Sequence, residues 1–278
     1  MPEFKIAVAS AQDIARMTGW AADEGWNPGN TDSIAFQATD PGGFLMGWLD
    51  GKPVASISVV RYGASFAFLG YYIARPEARG KGYGLRIWNA GMARLEGCNV
   101  GLDGVVAQQP NYRKSGFRWA WANVRCEGTP PAAPVPTGVT LVDARELPFD
   151  KLAVYDRRFF PEARDAFLAP WIALGERRAL AALENGALVG FAVLRAARGA
   201  SRIGPLYAAT PDIAAALIGA LADGKPVAVD APDRNKEAMA LMQRLGLKPA
   251  FETARMYTGD EPALDMAALY GVASFELG

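Results

Sequence analysis

The sequence predicts an α/β protein made of two mixed-sheet domains in tandem. Three observations carry this reading. Apolar runs of strand length alternate with amphipathic stretches of helix length along the whole chain. A weak internal repeat recurs at an offset of about 130 residues. Near the middle, residues 129–136 read Thr-Pro-Pro-Ala-Ala-Pro-Val-Pro, with four prolines in eight residues. Proline removes backbone donors and stiffens the chain toward polyproline II, so this segment reads as a semi-rigid spacer. The length of 278 residues suits about two domains. The expected bounds are 1–128, a linker over 129–137, and 138–278.

The elements follow from periodicity. Phe4 to Ala9 reads as a strand. Ser10 caps a helix over about Ala11 to Glu24. A three-strand meander follows at Phe44–Leu49, Pro53–Arg61 and Ala67–Ala74, with turn signals at Asp50-Gly51 and Gly63. A long helix from Tyr83 to Leu95 stops before Gly97. A strand Val100–Val106, a short helix around Asn111–Ser115 and a strand Arg118–Arg125 complete the first domain. The second repeats the plan after a helical stretch. It has strands at Ala179–Glu184, Leu188–Ala196 and Arg202–Tyr207, a helix Pro211–Ala222, a strand Val227–Asp230, a helix Asn235–Leu245 and a strand Phe251–Tyr257. The repeat pairs Arg61 with Arg195, Gly70 with Gly204, Asp103 with Asp230, Gly116 with Gly246 and Arg125 with Arg255.

Composition excludes several chemistries. Lys+Arg 29 balances Asp+Glu 29, so the basic excess of a phosphate-neutralising nucleic-acid binder is missing. There is no histidine, hence no Ser-His-Asp or Cys-His machinery and no histidine metal ligand. Cys98 and Cys126 are too few for a zinc site built of four thiolates or for a disulfide framework, which suits a reducing compartment. No metal is expected. No apolar run approaches the ~18–20 residues of a membrane span; the longest, such as Ala214–Ala222, are short. The first residues carry Glu3 and no long apolar core, so no signal peptide is read. The expectation is a cytoplasmic protein without a membrane partner.

One segment carries chemistry. Tyr72-Ile-Ala-Arg-Pro76 is followed by Glu-Ala-Arg79-Gly80-Lys81-Gly82-Tyr83-Gly84 and then an amphipathic helix. Glycines let the backbone approach a ligand closely. Free N–H groups and the dipole at a helix start favour phosphate, and Arg79 and Lys81 add positive charge. No Gly-Lys-Ser/Thr closes the loop, so it is not a Walker loop. It follows an antiparallel meander, so it is not the dinucleotide fingerprint.

Arg79-x-x-Gly82-x-Gly84 after a fourth strand resembles the acyl-CoA pyrophosphate loop of the GNAT acetyltransferase superfamily. Asn111-Tyr112-Arg113-Lys114-Ser115-Gly116-Phe117 is similar to the Tyr-x-x-x-Gly-Phe element that follows it in that family. The resemblance covers about residues 4 to 126. It implies acetyl-CoA as cosubstrate, with Arg79, Gly80, Lys81, Gly82, Tyr83 and Gly84 at the pyrophosphate. The backbone of Tyr71, Tyr72 and Ile73 would pair with pantetheine like an added strand. Tyr112 would protonate the leaving thiolate. An amine would attack the thioester directly, after losing a proton to a base. With no histidine, the candidates are Glu24, Asp103 or a water relay. Asp103 recurs as Asp230 in the second half, which suggests a shared structural role, so Glu24 is preferred.

The second half resembles the degenerate GNAT-like domain of bacterial tandem-GNAT proteins. After Pro211 its helix begins at once with Asp212, without a glycine loop and without a tyrosine in the place of Tyr112. One acyl-CoA per chain is therefore expected, with the second half shaping the acceptor site or stabilising the first. Trp20, Trp26, Arg61, Tyr62, Gln108 and Gln109 are candidate walls of a small-molecule acceptor pocket. The alternative reading is a non-catalytic acyl-CoA-binding sensor or scaffold.

Overall fold

The computed structural model describes residues 3–278; Met1 and Pro2, at the start of the expected first domain, lie outside the described residues. The first half opens on β1 (Phe4–Val8), α1 (Ala11–Asp23) and α2 (Asp32–Thr39). The meander β2 (Phe44–Leu49), β3 (Lys52–Tyr62) and β4 (Phe66–Ala74) follows, then α3 (Tyr83–Arg94), β5 (Asn99–Val105), α4 (Gln109–Lys114) and β6 (Arg118–Gly128). The second half runs β7 (Val139–Asp143), α5 (Phe149–Asp156), α6 (Asp165–Ala173), β8 (Arg177–Glu184), β9 (Ala187–Arg195) and β10 (Ser201–Ala208). It continues with α7 (Pro211–Ala222), β11 (Val227–Pro232), α8 (Lys236–Arg244), β12 (Lys248–Tyr257) and β13 (Leu269–Gly271). Ser10 caps α1 through a capping box with Asp13, an arrangement worth about 1 kcal/mol. The short helix α2 and the strands β7 and β13 go beyond the elements read from the sequence.

The described strands form one mixed sheet, in the order β1-β2-β3-β4-β5-β12-β6-β11-β10-β9-β8-β7, with β13 beside β10. The last long strand of each half has crossed over. β12 pairs antiparallel with β5, and β6 pairs with both β12 and β11. Two buried ion pairs lock this exchange. Arg255 on β12 donates to Asp103 on β5 at 2.6 and 2.7 Å. Arg125 on β6 donates to Asp230 on β11 at 2.9 Å. The repeat-related residues thus pair across the two halves. Losing one partner of such a pair typically costs ~3–5 kcal/mol, because the other charge stays buried.

Other contacts tie the halves together. Asp32 of α2 is fully buried and ion-paired with Arg177 (3.1 Å) and Arg195 of the second half. Phe36 stacks on Trp171 with ring centroids 5.7 Å apart. The buried segment 272–277 runs across the sheet over both repeat-related glycines. A Cβ at Gly70 would lie 2.2 Å from the Glu276 carbonyl oxygen, and one at Gly204 would lie 2.4 Å from that of Val272. Only glycine lets the segment pass so close. Among the described residues, no helix is long and apolar enough to cross a membrane.

Candidate active site

The loop before α3 has the geometry its glycines allow. Gly80 and Gly82 sit in the left-handed region at φ 73° and 81°, which L-residues with a Cβ reach only at a cost of roughly 1–2 kcal/mol. Gly82 is the N-cap of α3, and no side chain caps that helix. The first N–H groups of an α-helix have no intrahelical partner, so those of Tyr83, Gly84 and Leu85 are available to an anion. Space beside Gly80 and Gly82 is open. The Lys81 ammonium donates to the Glu77 carbonyl at 2.8 Å, and Arg79 donates to the Ala74 carbonyl at 2.8 Å, so both cations stay beside the loop.

Next to the loop the sheet splays. β4 pairs with β5 only over Phe66–Leu69 against Asn99–Leu102. A bulge follows at Tyr71-Tyr72, where the β3–β4 register shifts between Gly70 and Ile73. Tyr71 itself is held at φ 45°, a strained state for a bulky residue. Its hydroxyl packs against that of Thr18 at 3.1 Å, and its carbonyl accepts from Ser56 at 2.8 Å. The facing edges of Tyr72–Ala74 and Asp103–Val105 are left without strand partners across the split. A cleft of about 430 Å³ occupies it, lined by Glu24, Trp26, Tyr72, Ile73, Arg79, Gln108 and Tyr112 among others.

Tyr112 enters this cleft from α4. Its ring crosses β5 so closely that a Cβ at Gly104 would lie 2.2 Å from Cε2. On its other side it stacks on Trp88, with centroids 5.8 Å apart, and Trp88 in turn meets Tyr72. The ring is therefore held between β5 and Trp88. Burial pushes the phenol up to about 12, so it remains protonated at neutral pH, the form that can donate.

The other sequence candidates divide. Trp26 and Gln108 line the cleft. Trp20 lies under the Arg75 guanidinium, Arg61 donates to the carbonyls of Arg94 and Ala64, and the Tyr62 hydroxyl donates to Leu277; these three do structural work. Gln109 lies on α4 with its carboxamide oxygen toward Arg113. Glu24 reaches the cleft, but Arg79 holds its carboxylate at 2.5 Å. Both oxygens of Asp103 are taken by Arg255, and Asn123 also donates to it at 2.7 Å.

Beyond Tyr112 the cleft continues into a deeper recess of about 30 Å³ under the bulge, lined by Tyr71, Phe251, Thr253, Phe275 and Glu276 among others. Sequence reasoning missed these last four. The signal was present in the apolar run Leu269, Tyr270, Val272, Phe275 and Leu277, which demands burial. The place corresponding to the loop in the second half is closed. The Thr210 side chain caps α7 by accepting from the Ile213 N–H, Pro211 occupies the first turn, and Asp212 lies on the surface 3.5 Å from Arg244. The cap is thus Thr210.

Residues 11–117 match the acetyltransferase (GNAT) family and residues 152–271 match an acetyltransferase (GNAT) domain. The chain is 31% identical to the holothin acyltransferase of Pseudoalteromonas sp. (strain SANK 73390), over 97% of this chain and 93% of that one. This chain belongs to the GNAT superfamily. It is a tandem GNAT protein, and as such an acyltransferase-family member. Its fold matches that of a putative acetyltransferase from Pyrococcus horikoshii, with TM-score 0.82 and 20% identity over 99% of this chain and 96% of the other. It also matches a tandem GNAT protein from the clavulanic acid biosynthesis pathway, with TM-score 0.65 and 16% identity over 93% and 100% of the two chains. Among the described residues no cluster of potential metal ligands occurs in this GNAT chain.

Proposed function

We propose that this protein is an N-acyltransferase that moves an acetyl group from acetyl-CoA to the amine of a small-molecule acceptor by direct attack. The observation that carries the reading is the uncapped start of α3, with Gly80 and Gly82 in left-handed conformations, opening onto the split between β4 and β5. A pyrophosphate at the free N–H groups would lay pantetheine along the open edge of Tyr72–Ile73 and bring the thioester beside Tyr112. Proximity and alignment then supply much of the rate.

The amine nitrogen attacks the thioester carbonyl, and the C–S bond breaks as the C–N bond forms. Tyr112 donates to the departing sulfur. A phenol near 12 is a weaker acid than a thiol of about 8.5. Its contribution therefore begins as a hydrogen bond that strengthens as charge builds on sulfur, and the proton follows as CoA leaves. The cleft wall is apolar and aromatic apart from Gln108 and the Glu24–Arg79 pair at its rim, which suits a small acceptor rather than a polyanion. Kinship with a holothin acyltransferase supports a small-molecule acceptor. The closed start of α7 supports one acyl-CoA per chain.

The test is a screen of an amine library with acetyl-CoA, read by mass spectrometry and by thiol release. Acetylated amine and free CoA in equal amounts are expected. Tight binding of acetyl-CoA with no acetylated product from any amine would favour the non-catalytic acyl-CoA-binding alternative.

A further inference from the structure

The recess beneath the β4 bulge is apolar apart from a few polar groups. Asp103 there is engaged by Arg255 and Asn123. Two others are not engaged. Thr253 is 3% exposed and its hydroxyl has no hydrogen-bond partner. Glu276 is 5% exposed, and its carboxyl makes no ion pair and no side-chain hydrogen bond among the described residues. A buried polar group without a partner is costly, so such groups at a cavity wall point to something that fills the cavity. The recess, about 30 Å³, holds about one or two waters, or a single ammonium or amino head of similar size. The recess and the outer cleft share Trp26, Tyr72, Tyr112 and Phe251.

We propose that Glu276, carried into the first half's split sheet by the segment 272–277, is the base that takes the proton from the acceptor amine, and that Thr253 orients that amine. This rests on the acyl-transfer reading above. The acceptor is a primary amine on a flat apolar body: the head enters the recess, and the body lies in the outer cleft against Trp26 and Phe251. As the amine nitrogen bonds to the acetyl carbon and the C–S bond breaks, the nitrogen's proton passes to the Glu276 carboxylate and later to solvent. Tyr112 supplies one proton to the CoA sulfur and recovers it from solvent, so protons balance over the cycle.

The surroundings fit the role. Glu276 faces Arg125 from β6, Arg195 from β9, Arg202 from β10, Asp32 from α2 and the Tyr71 phenol from β4. Asp32 engages Arg195, and Asp230 engages Arg125 and Arg202. The cations are thus partly neutralised by acids other than Glu276. Burial and Asp32 raise the Glu276 carboxyl above its ordinary value, against the opposing pull of the three arginines. That moves it toward the working pH that suits a general base. Glu24, held by Arg79 at the rim, has no such freedom.

The experiment uses the full chain, acetyl-CoA and benzylamine as the probe, with Glu276→Gln, Glu276→Asp and Thr253→Val. Acetyl-CoA affinity is measured by calorimetry alongside kcat and KM from pH 5 to 9. Glu276→Gln is expected to lower kcat by ~10²–10⁴-fold with acetyl-CoA affinity unchanged. The acid limb of wild-type kcat should vanish in Glu276→Gln and shift in Glu276→Asp. Thr253→Val should raise KM for benzylamine about fivefold, the worth of one hydrogen bond. A Glu276→Gln enzyme with near wild-type kcat, or one that keeps the acid limb, overturns the assignment. So does a wild-type enzyme that acetylates other amines but not benzylamine. Failure of wild type to bind acetyl-CoA, or to turn over any amine, overturns the acyl-transfer reading itself and the assignment with it.

Discussion

At Tyr112 and Gly104 a side chain and a missing side chain make one device. The ring occupies the space a Cβ on β5 would need. Tyr112→Phe keeps that packing and removes only the hydroxyl. It is expected to lower kcat by ~10–10³-fold with little change in acetyl-CoA affinity; full activity in steady-state assays would show that another group protonates the thiolate. Gly104→Ala pushes the ring out of place. It should lower stability by ~1–3 kcal/mol and reduce kcat along with it, as read by denaturant unfolding and the same assay. Because burial raises the phenol to about 12, the protonated form is the working one, and its loss begins only as pH rises toward that value. Ionisation of Tyr112 should therefore cause no fall in kcat below about pH 11. The Ser10 cap and the left-handed Gly82 were legible because each follows a local rule, whereas Tyr112 was singled out by family resemblance alone. Glu276 and Thr253 were not, because their meaning comes from what faces them across more than a hundred residues of chain.

At the scale of elements, the loop and the start of α3 form the proposed phosphate-binding unit, and its test is steric. A side chain at Gly82 stands in open space and in a left-handed backbone. Gly82→Glu adds a carboxylate where phosphates would lie. Calorimetry should show acetyl-CoA binding abolished, while Tm falls by only ~2–4 °C, as about 1 kcal/mol of backbone strain would give. Loss of the folded state instead would make this glycine structural. Most strands and long helices were readable from periodicity and turn residues to within a few positions. The eight-residue α2 escaped: Asp-Ser-Ile-Ala-Phe-Gln-Ala-Thr has a weak amphipathic pattern, and its buried Asp32 makes sense only once Arg177 and Arg195 surround it. The open edge at Tyr71–Ile73 was expected from family resemblance alone, since nothing in Phe66–Ala74 marks where pairing with β5 stops.

At the scale of the whole molecule, the two halves share a sheet and a buried network. The repeat was visible in sequence, but the strand exchange was not. β6 and β12 carry the same arginine at matching positions, and Asp103 and Asp230 are equally matched, so pattern alone cannot choose between pairing within a half and pairing across. Thermal unfolding followed by calorimetry should therefore show one cooperative transition. Arg125→Met and Arg255→Met should each lower that same transition, at a cost of ~3–5 kcal/mol; two transitions responding separately would mean that the halves stand alone. The sharing also explains how a second half with a capped, closed α7 contributes, since it lends β12 and the segment 272–277 to the split in the first. On this reading the assembly holds one acyl-CoA per chain, at the loop Arg79–Gly84. The most direct test is a calorimetric titration of the full chain with acetyl-CoA, beside the Gly82→Glu variant. One site per chain is expected in the wild type and none in the variant; two sites per chain, or binding that survives in Gly82→Glu, would overturn the assignment.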